Sequence, residues 1–503
     1  MKHTADDQRW RPRSHFTAPQ NWMNDPCGLI YFGNRYHLYY QHNPHKPDWG
    51  SIHWGHAVSD DLFSWKDAPL AIGVDDEGGL AFTGSAMEPA AVAGDYAPAD
   101  MRDGIVALYT CALPVGSDQD TTQRQCLATS SDGYVWEPGE MVIDNPGIRD
   151  FRDPKVGWHA ESRSWFMVLA AQDRLHLYTS FDLRAWNLTD TFGQDWDAPE
   201  GIWECPDLLQ LPVAGDDGRT DEDGRTEWVL TFHVEHFSDP SAGAYYVVGR
   251  FDGTSFVPTS SRVRPVDRGH DFYAAQSWAN LPAEQQRQVW IAWASHPAYS
   301  RRLPTRSWVG AMTLPRELRL VQEGESLLLS QLPAREWETL RAEPRVATGG
   351  TAVERAATTA TTFTVADADA SDIVVPGNTC EIVLEFGTAG TVAITRTDGQ
   401  LTVDRSGCDM GAFSTIVELR RAVDIPRRSV GEARTRVVLD GCVLECFLDD
   451  GTTAYTDLVF PTAPPSRIRV TSPASAAAVP SVAPAVYRMR ATMGAGRGPN
   501  GST

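Results

Sequence analysis

The sequence predicts an all-β protein, a five-bladed β-propeller followed by a C-terminal β-sandwich. Three observations carry that expectation. Helical periodicity is scarce, one β-type run recurs five times in the first 320 residues, and the composition shifts beyond about residue 322.

The recurring runs are "RYHLYYQ" from Arg35, "IVALYTC" from Ile105, "SWFMVLA" from Ser164, "EWVLTFH" from Glu227 and "VWIAWAS" from Val289. Measured between Tyr36, Ile105, Trp165, Trp228 and Val289, the intervals are 69, 60, 63 and 61 residues. A period of that size accommodates about four strands with their turns, which is one propeller blade. Four of the runs lead into a further strand and a turn ending in an aromatic, as in "AVSDDLFSW", "ATSSDGYVW", "YTSFDLRAW" and "VGRFDGTSF". Each run is preceded by a segment that reads as the innermost strand: "NDPCGLIYF", "FTGSAMEPA", "FRDPKVGWH", "WECPDLLQL" and "DFYAAQSWA". Closing such units into a ring removes sheet edges that would otherwise aggregate. The predicted propeller covers 1–322, and a linker with some helix covers 323–349. From 350 to 490, alternating runs such as "CEIVLEFG" and "TRVVLDGCVLECFLDD" predict the sandwich. The tail 491–503, "ATMGAGRGPNGST", is expected to be disordered.

The 503 residues include 44 basic and 66 acidic ones, a formal net charge of -22. That balance argues against a nucleic-acid partner and against docking to an anionic membrane, and it suits a neutral substrate. No apolar run approaches the ~18 residues of a membrane span. The opening "MKHTADDQRWRPRSHF" lacks the apolar core of a signal peptide. The eight cysteines are scattered with no C-x-x-C, which reads as reduced thiols rather than a disulfide framework or a zinc site. These features predict a cytoplasmic chain. His53 and His56 of "HWGH" are three apart, which places them on opposite faces of a strand and argues against a metal site. A homo-oligomer is compatible with all of this.

In a propeller the first strand of each blade lines the central axis. Asp25 in "NDP", Asp153 in "RDP" and Glu204 in "ECP" stand at the start of such strands, so the fold aims three carboxylates into one funnel. A single Asp-Pro is ordinary turn chemistry. Three at equivalent repeat positions point to function, because clustered carboxylates repel. Glycosidic bond cleavage needs two carboxyl groups flanking the bond. Arg152 and Asp153 offer a pair able to bind sugar hydroxyls and stabilise positive charge on the ring. Burial against Trp203 would favour a protonated Glu204, with Asp25 beside the Asn24 amide as the ionised partner. Cys205 either tunes its neighbour or is an inert buried thiol. Interblade packing competes as the role of Trp49 and Trp54, and turn capping as that of Gln41 and Asn43.

The motifs "WMNDPCG", "FTGSA", "FRDPK", "WECPDL" and "DFYAAQSW", in this order from about Ser14 to Leu320, resemble those of glycoside hydrolase family 32, the invertases, inulinases and levanases. "DGCVLECFLDDGTTAYTDLVFP" resembles the end of that family's C-terminal sandwich. The resemblance implies that Asp25 is the nucleophile, Glu204 the acid/base and Asp153 the transition-state stabiliser, with Arg152 beside it. It also implies substrate contacts from Asn24, Gln41, Trp49, Phe82, Thr83 and Trp293, retention of configuration, and no metal or cofactor. The expected activity is hydrolysis of terminal β-D-fructofuranosyl residues of sucrose and short fructooligosaccharides. The pattern departs at Cys27, where the family commonly carries Asn before Gly28. Fructosyl transfer, or an exo-levanase or exo-inulinase activity, is the alternative. An arabinosidase or xylosidase on the same propeller would lack "WMNDP" combined with a sandwich, and a non-catalytic carbohydrate-binding propeller would not need all three acids.

Overall fold

The computed structural model describes residues 7–75, 78–117, 120–214, 224–235, 242–345, 347–353, 358–365, 369–426, 433–473 and 483–493. Each recurring run lies on a strand: Arg35–Asn43, Ile105–Ser117, Ser164–Ala171, Thr226–Glu235 and Gln288–Trp293. Their β-branched and aromatic side chains pack on both faces, which is the setting these residues favour. Each pairs antiparallel with the strand before it, here termed a funnel strand: Asn21–Phe32, Leu80–Met87, Phe151–His159, Ile202–Ala214 and Tyr273–Ser277. Successive funnel strands pack on one another, and Tyr273–Ser277 lies back against Asn21–Phe32.

The first sheet runs Asn21–Phe32, Arg35–Asn43, His53–Ser59 and Trp65–Ala68, with Trp308–Val309 added in parallel at its inner edge. Two four-stranded sheets follow, Leu80–Met87 to Glu137–Ile143 and Phe151–His159 to Asn187–Phe192. The remaining strands do not separate into two further sheets. Ile202–Ala214 pairs in parallel with Arg316–Glu323 at Val213↔Leu320 and Ala214↔Val321, which merges them into one nine-stranded sheet. The parallel register Asn21↔Trp308 and Trp22↔Val309 stitches the late part of this segment to its first strand.

Every funnel strand carries a bulge at the same level. Asn24–Asp25, Phe82–Thr83, Asp153–Pro154, Cys205–Pro206 and Ala274–Ala275 each place two residues opposite one on the partner. Asp153, Cys205 and Ala274 adopt left-handed backbone angles, with φ of 65°, 45° and 55°. A second irregularity on the first strand falls at Gly28, φ 56°, where a Cβ would come within 2.4 Å of the Trp54 ring. Glycine is required there by both the angle and the space.

The stretch 323–349, expected as a linker, is largely structured. Ser326–Pro333 pairs along its whole length with Arg316–Glu323, a short helix spans Glu336–Thr339, and Arg341–Pro344 joins the C-terminal sheets. "SLLLSQLP" has the composition of a buried strand, and pairing decides its state. Beyond it lie two antiparallel sheets, of six and seven strands. Ile373, Val375, Val437 and Leu444 from one, and Ile382, Leu384, Ile394 and Val470 from the other, share one core. Of the expected tail, only Ala491–Met493 falls within the described residues.

A buried polar lattice locks the two parts together. Arg316 is fully buried and donates to Asp267 (3.0 Å) and Gln331 (2.8 Å), and across the junction to Glu445 (2.5 Å) and Thr456 (2.7 Å). His15 bridges Asp440 (2.8 Å) and Glu445 (3.0 Å). Burial alone would lower the His15 pKa, but the two carboxylates outweigh it and raise it to about 9. Removing the guanidinium would strip the buried Asp267 of this ion pair and leave Glu445 with only its His15 pair among the described residues. Arg316→Ala is therefore expected to lower stability by about 3–5 kcal/mol, read as the shift of the urea unfolding curve.

Candidate active site

The funnel strands open on one cavity of about 560 Å³. All ten residues singled out from the sequence line it: Asn24, Asp25, Gln41, Trp49, Phe82, Thr83, Arg152, Asp153, Glu204 and Trp293. The bulges explain how consecutive residues share it. In a regular strand neighbours face opposite sides, yet Asn24 and Asp25, Phe82 and Thr83, and Arg152 and Asp153 all reach the cavity as adjacent pairs.

The three carboxylates are not at equivalent positions. By register, Asp25 is the second residue of its bulge, Asp153 the first, and Glu204 the residue before. The register equivalents of Glu204 are Met23, Ala81, Arg152 and Tyr273, and the last two bond to Glu204. Arg152 donates to Glu204 Oε1 from Nη2 (2.8 Å) and Nε (3.1 Å), and the Tyr273 hydroxyl donates to Glu204 Oε2 at 2.5 Å. Arg152 also binds Asp150 at 2.6 Å, whereas its nearest approach to Asp153 is 4.0 Å. The expected Arg152–Asp153 pair is thus an Arg152–Glu204 pair.

Trp203 does not bury Glu204. Strand alternation turns its indole away, where it stacks on Phe232 at 4.0 Å. Asp153 instead receives the Cys205 backbone N–H (2.9 Å) and the Cys205 thiol (3.5 Å), and its own N–H donates to Thr110. The same thiol lies 3.8 Å from Asp25 Oδ2. Burial, reinforced by the three nearby carboxylates, holds the Cys205 thiol pKa well above its ordinary value, so its single S–H stays in place between the two aspartates, nearer to Asp153.

Burial first, then Glu204 and Asp153, push the Asp25 carboxyl up to about 8, against hydrogen bonds from Asn24 and Cys205 that pull it down. Burial and the neighbouring carboxylates thus favour the protonated form of Asp25 at neutral pH, where the ionised partner was expected. Asp153 is raised to about 6, by burial and by Glu204, with Arg152 opposing. Glu235, also on the cavity wall, is raised to about 9 by burial and then by Glu204.

The remaining predicted residues form the walls. Trp49 meets Phe82 edge-on at 6.0 Å and lies beneath the Arg301 guanidinium, and Trp293 meets Trp22 edge-on. Gln41 donates to Ala81 O (3.0 Å) and approaches Cys27 Sγ at 3.8 Å. Cys27 is fully buried in a core cluster and does not line the cavity, and Gln41 is its side-chain partner there. Tyr273, Glu235, Gln123 and Asp150 were not singled out from the sequence. Tyr273 stood in a quoted motif, at the repeat position equivalent to Glu204, and register would have found it.

A family model described as the glycosyl hydrolases family 32 N-terminal domain matches residues 15–331, and that family's C-terminal model matches 334–484. The chain belongs to glycosyl hydrolase family 32. The enzyme is accordingly a glycoside hydrolase. It is 36% identical to a levanase of Bacillus subtilis over 468 residues, covering 90% of this chain and 67% of the relative. It is 32% identical to an extracellular exo-inulinase of Aspergillus ficuum, covering 90% of each. The crystal structure of an exo-inulinase from Aspergillus awamori superposes with a TM-score of 0.83 at 29% identity, covering 97% of this chain and 99% of that one. The cytoplasmic expectation is overturned by these relatives, several of which are named extracellular. It rested on the opening residues lacking an apolar core and on the absence of a long apolar run, and neither feature reports a compartment.

The carboxylate cluster has a cost that depends on pH. Asp25 has a folded pKa above its unfolded 3.8, so its contribution to stability is present in acid and is lost as pH rises through about 8. Asp25→Asn, which stays neutral, should melt close to the parent at pH 4 and above it at pH 8. A melting-temperature difference that does not grow between those pH values would contradict this placement of the proton.

Proposed function

We propose that this enzyme is a retaining, exo-acting β-fructofuranosidase that releases terminal fructosyl residues from sucrose and short fructans. The observation that carries the reading is the juxtaposition of Asp25, Asp153 and Glu204 on one cavity of a size that encloses a sugar unit. Names of relatives as levanase and exo-inulinase support a fructan as substrate. We read the five funnel strands as the inner strands of five blades, the nine-stranded sheet comprising the last two, because these strands follow one another round a closed ring of contacts.

In this reading Glu204 gives its proton to the glycosidic oxygen as the bond to the anomeric carbon breaks, and Asp25 attacks that carbon. Water then attacks the fructosyl-enzyme, Glu204 takes its proton, and Asp25 leaves. Asp153, held by the Cys205 N–H, accepts from ring hydroxyls. The reactive form needs one proton shared by Asp25 and Glu204, with Asp25 ionised. Donors from Asn24 and Cys205 favour that ionisation, while Arg152 and Tyr273 hold Glu204 in place for transfer.

Asp25→Asn and Glu204→Gln should each lower kcat on sucrose by on the order of 10⁴-fold with folding intact. Near-normal turnover in either would remove the role assigned to that residue. Sucrose should yield equal glucose and fructose, whereas a fructose deficit would mark transfer. Because the cluster keeps its proton up to about pH 8, the alkaline limb of kcat/KM should fall near pH 8, and full activity at pH 10 would refute the shared-proton account.

A further inference from the structure

Below the bulges lies a second set of polar residues that none of the assigned roles uses. Lys155 and Asp207 are the first paired residues past the bulges of their strands, at Val168↔Lys155 and Asp207↔Thr231. They are structural equivalents, as Arg152 and Glu204 are on the other side of the same bulges. Lys155 Nζ donates to Asp207 Oδ2 (3.0 Å), Ser277 Oγ (3.0 Å) and Ser277 O (3.1 Å), and the Ser277 N–H donates to Asp207 Oδ2 (2.8 Å). Asp207 is fully buried, Lys155 and Ser277 nearly so, and none of the three lines the cavity. The group therefore ties together the three funnel strands that carry Asp153, Glu204 and Tyr273 without touching what occupies the cavity.

We propose that Lys155, Asp207 and Ser277 form a clasp that positions Glu204, Tyr273 and Asp153. Each bulge it closes contains a left-handed residue, Asp153, Cys205 or Ala274, a conformation that non-glycine residues adopt only when their surroundings impose it. Arg152 and Tyr273 both donate to Glu204 at the upper end of these bulges, and the clasp fixes the lower end. A buried ion pair is a poor source of net stability, since an apolar pair of like volume usually serves as well. What it supplies is registry, because ammonium, carboxylate and hydroxyl bond in few geometries. The proposal deepens the assignment of Glu204 as acid/base and rests on it. Glu204→Gln tests that assignment separately, so a failure of one is distinguishable from a failure of the other.

The test is the double variant Lys155→Met/Asp207→Leu, alongside Ser277→Ala, assayed on sucrose with melting temperatures recorded. A positioning clasp predicts that the double variant stays folded, that kcat falls about 10–100-fold, the scale set by sub-ångström misplacement, and that KM changes little. Parent-like kcat in a folded double variant would overturn the proposal, as would a raised KM at unchanged kcat. If the double variant does not fold, Ser277→Ala decides, since it removes only one partner of Lys155. Loss of kcat at an unchanged melting temperature supports the clasp, and unchanged kcat overturns it.

Discussion

The active site depends on one backbone constraint: every funnel strand carries two residues where its partner has one, all at the same level. Regular strands would turn Asn24 from Asp25, Phe82 from Thr83 and Arg152 from Asp153. The bulges let both members of each pair face the axis. They also bring left-handed angles at Asp153, Cys205 and Ala274, each unfavourable by about 1–2 kcal/mol for a residue with a Cβ. The surrounding sheets and the large buried core hold that strain in place.

The electrostatics follow from that geometry. Five carboxylates, Asp25, Asp150, Asp153, Glu204 and Glu235, line one cavity, and Arg152 is divided between Glu204 and Asp150. Asp153 is left to neutral donors from Cys205. Such a cluster resists full ionisation, so burial and mutual repulsion hold Asp25 and Glu235 toward their protonated forms into mildly alkaline conditions. A glycosidase needs a proton donor and a carboxylate together, and a cluster of interacting carboxyls with separated pKa values suits that need.

Much of this was legible in the sequence, and the limits are physical. The marker runs from Arg35, Ile105, Ser164, Glu227 and Val289 are strands because their residues suit packing on two faces, and composition records that directly. Asn24, Asp25, Phe82, Thr83, Arg152, Asp153 and Glu204 converge because each sits on a funnel strand. Side-chain direction was not legible. Trp203 adjoins Glu204 in the chain yet stacks on Phe232, and Arg152 adjoins Asp153 yet bonds Glu204 on the next funnel strand. Pairing register decides both, and register depends on partners some 15–30 residues away. The linker expectation over 323–349 failed for the same reason, as Ser326–Pro333 is a strand only by virtue of Arg316–Glu323. The ion pairs of Arg316 with Glu445 and His15 with Asp440 span more of the chain still and left no local trace.

The parallel stitch of Asn21–Trp22 to Trp308–Val309 bears on the order in which this molecule is made. Asp25 lies only a few residues from the start of the first funnel strand, and that strand's inner edge stays unpaired until the chain has grown past residue 309. During synthesis an exposed apolar edge must wait for a segment nearly three hundred residues later, a high-contact-order closure of the slow and aggregation-exposed kind. The nascent chain therefore carries that edge uncovered until residue 309 has been made, and its hazard lies in that interval rather than in the finished fold.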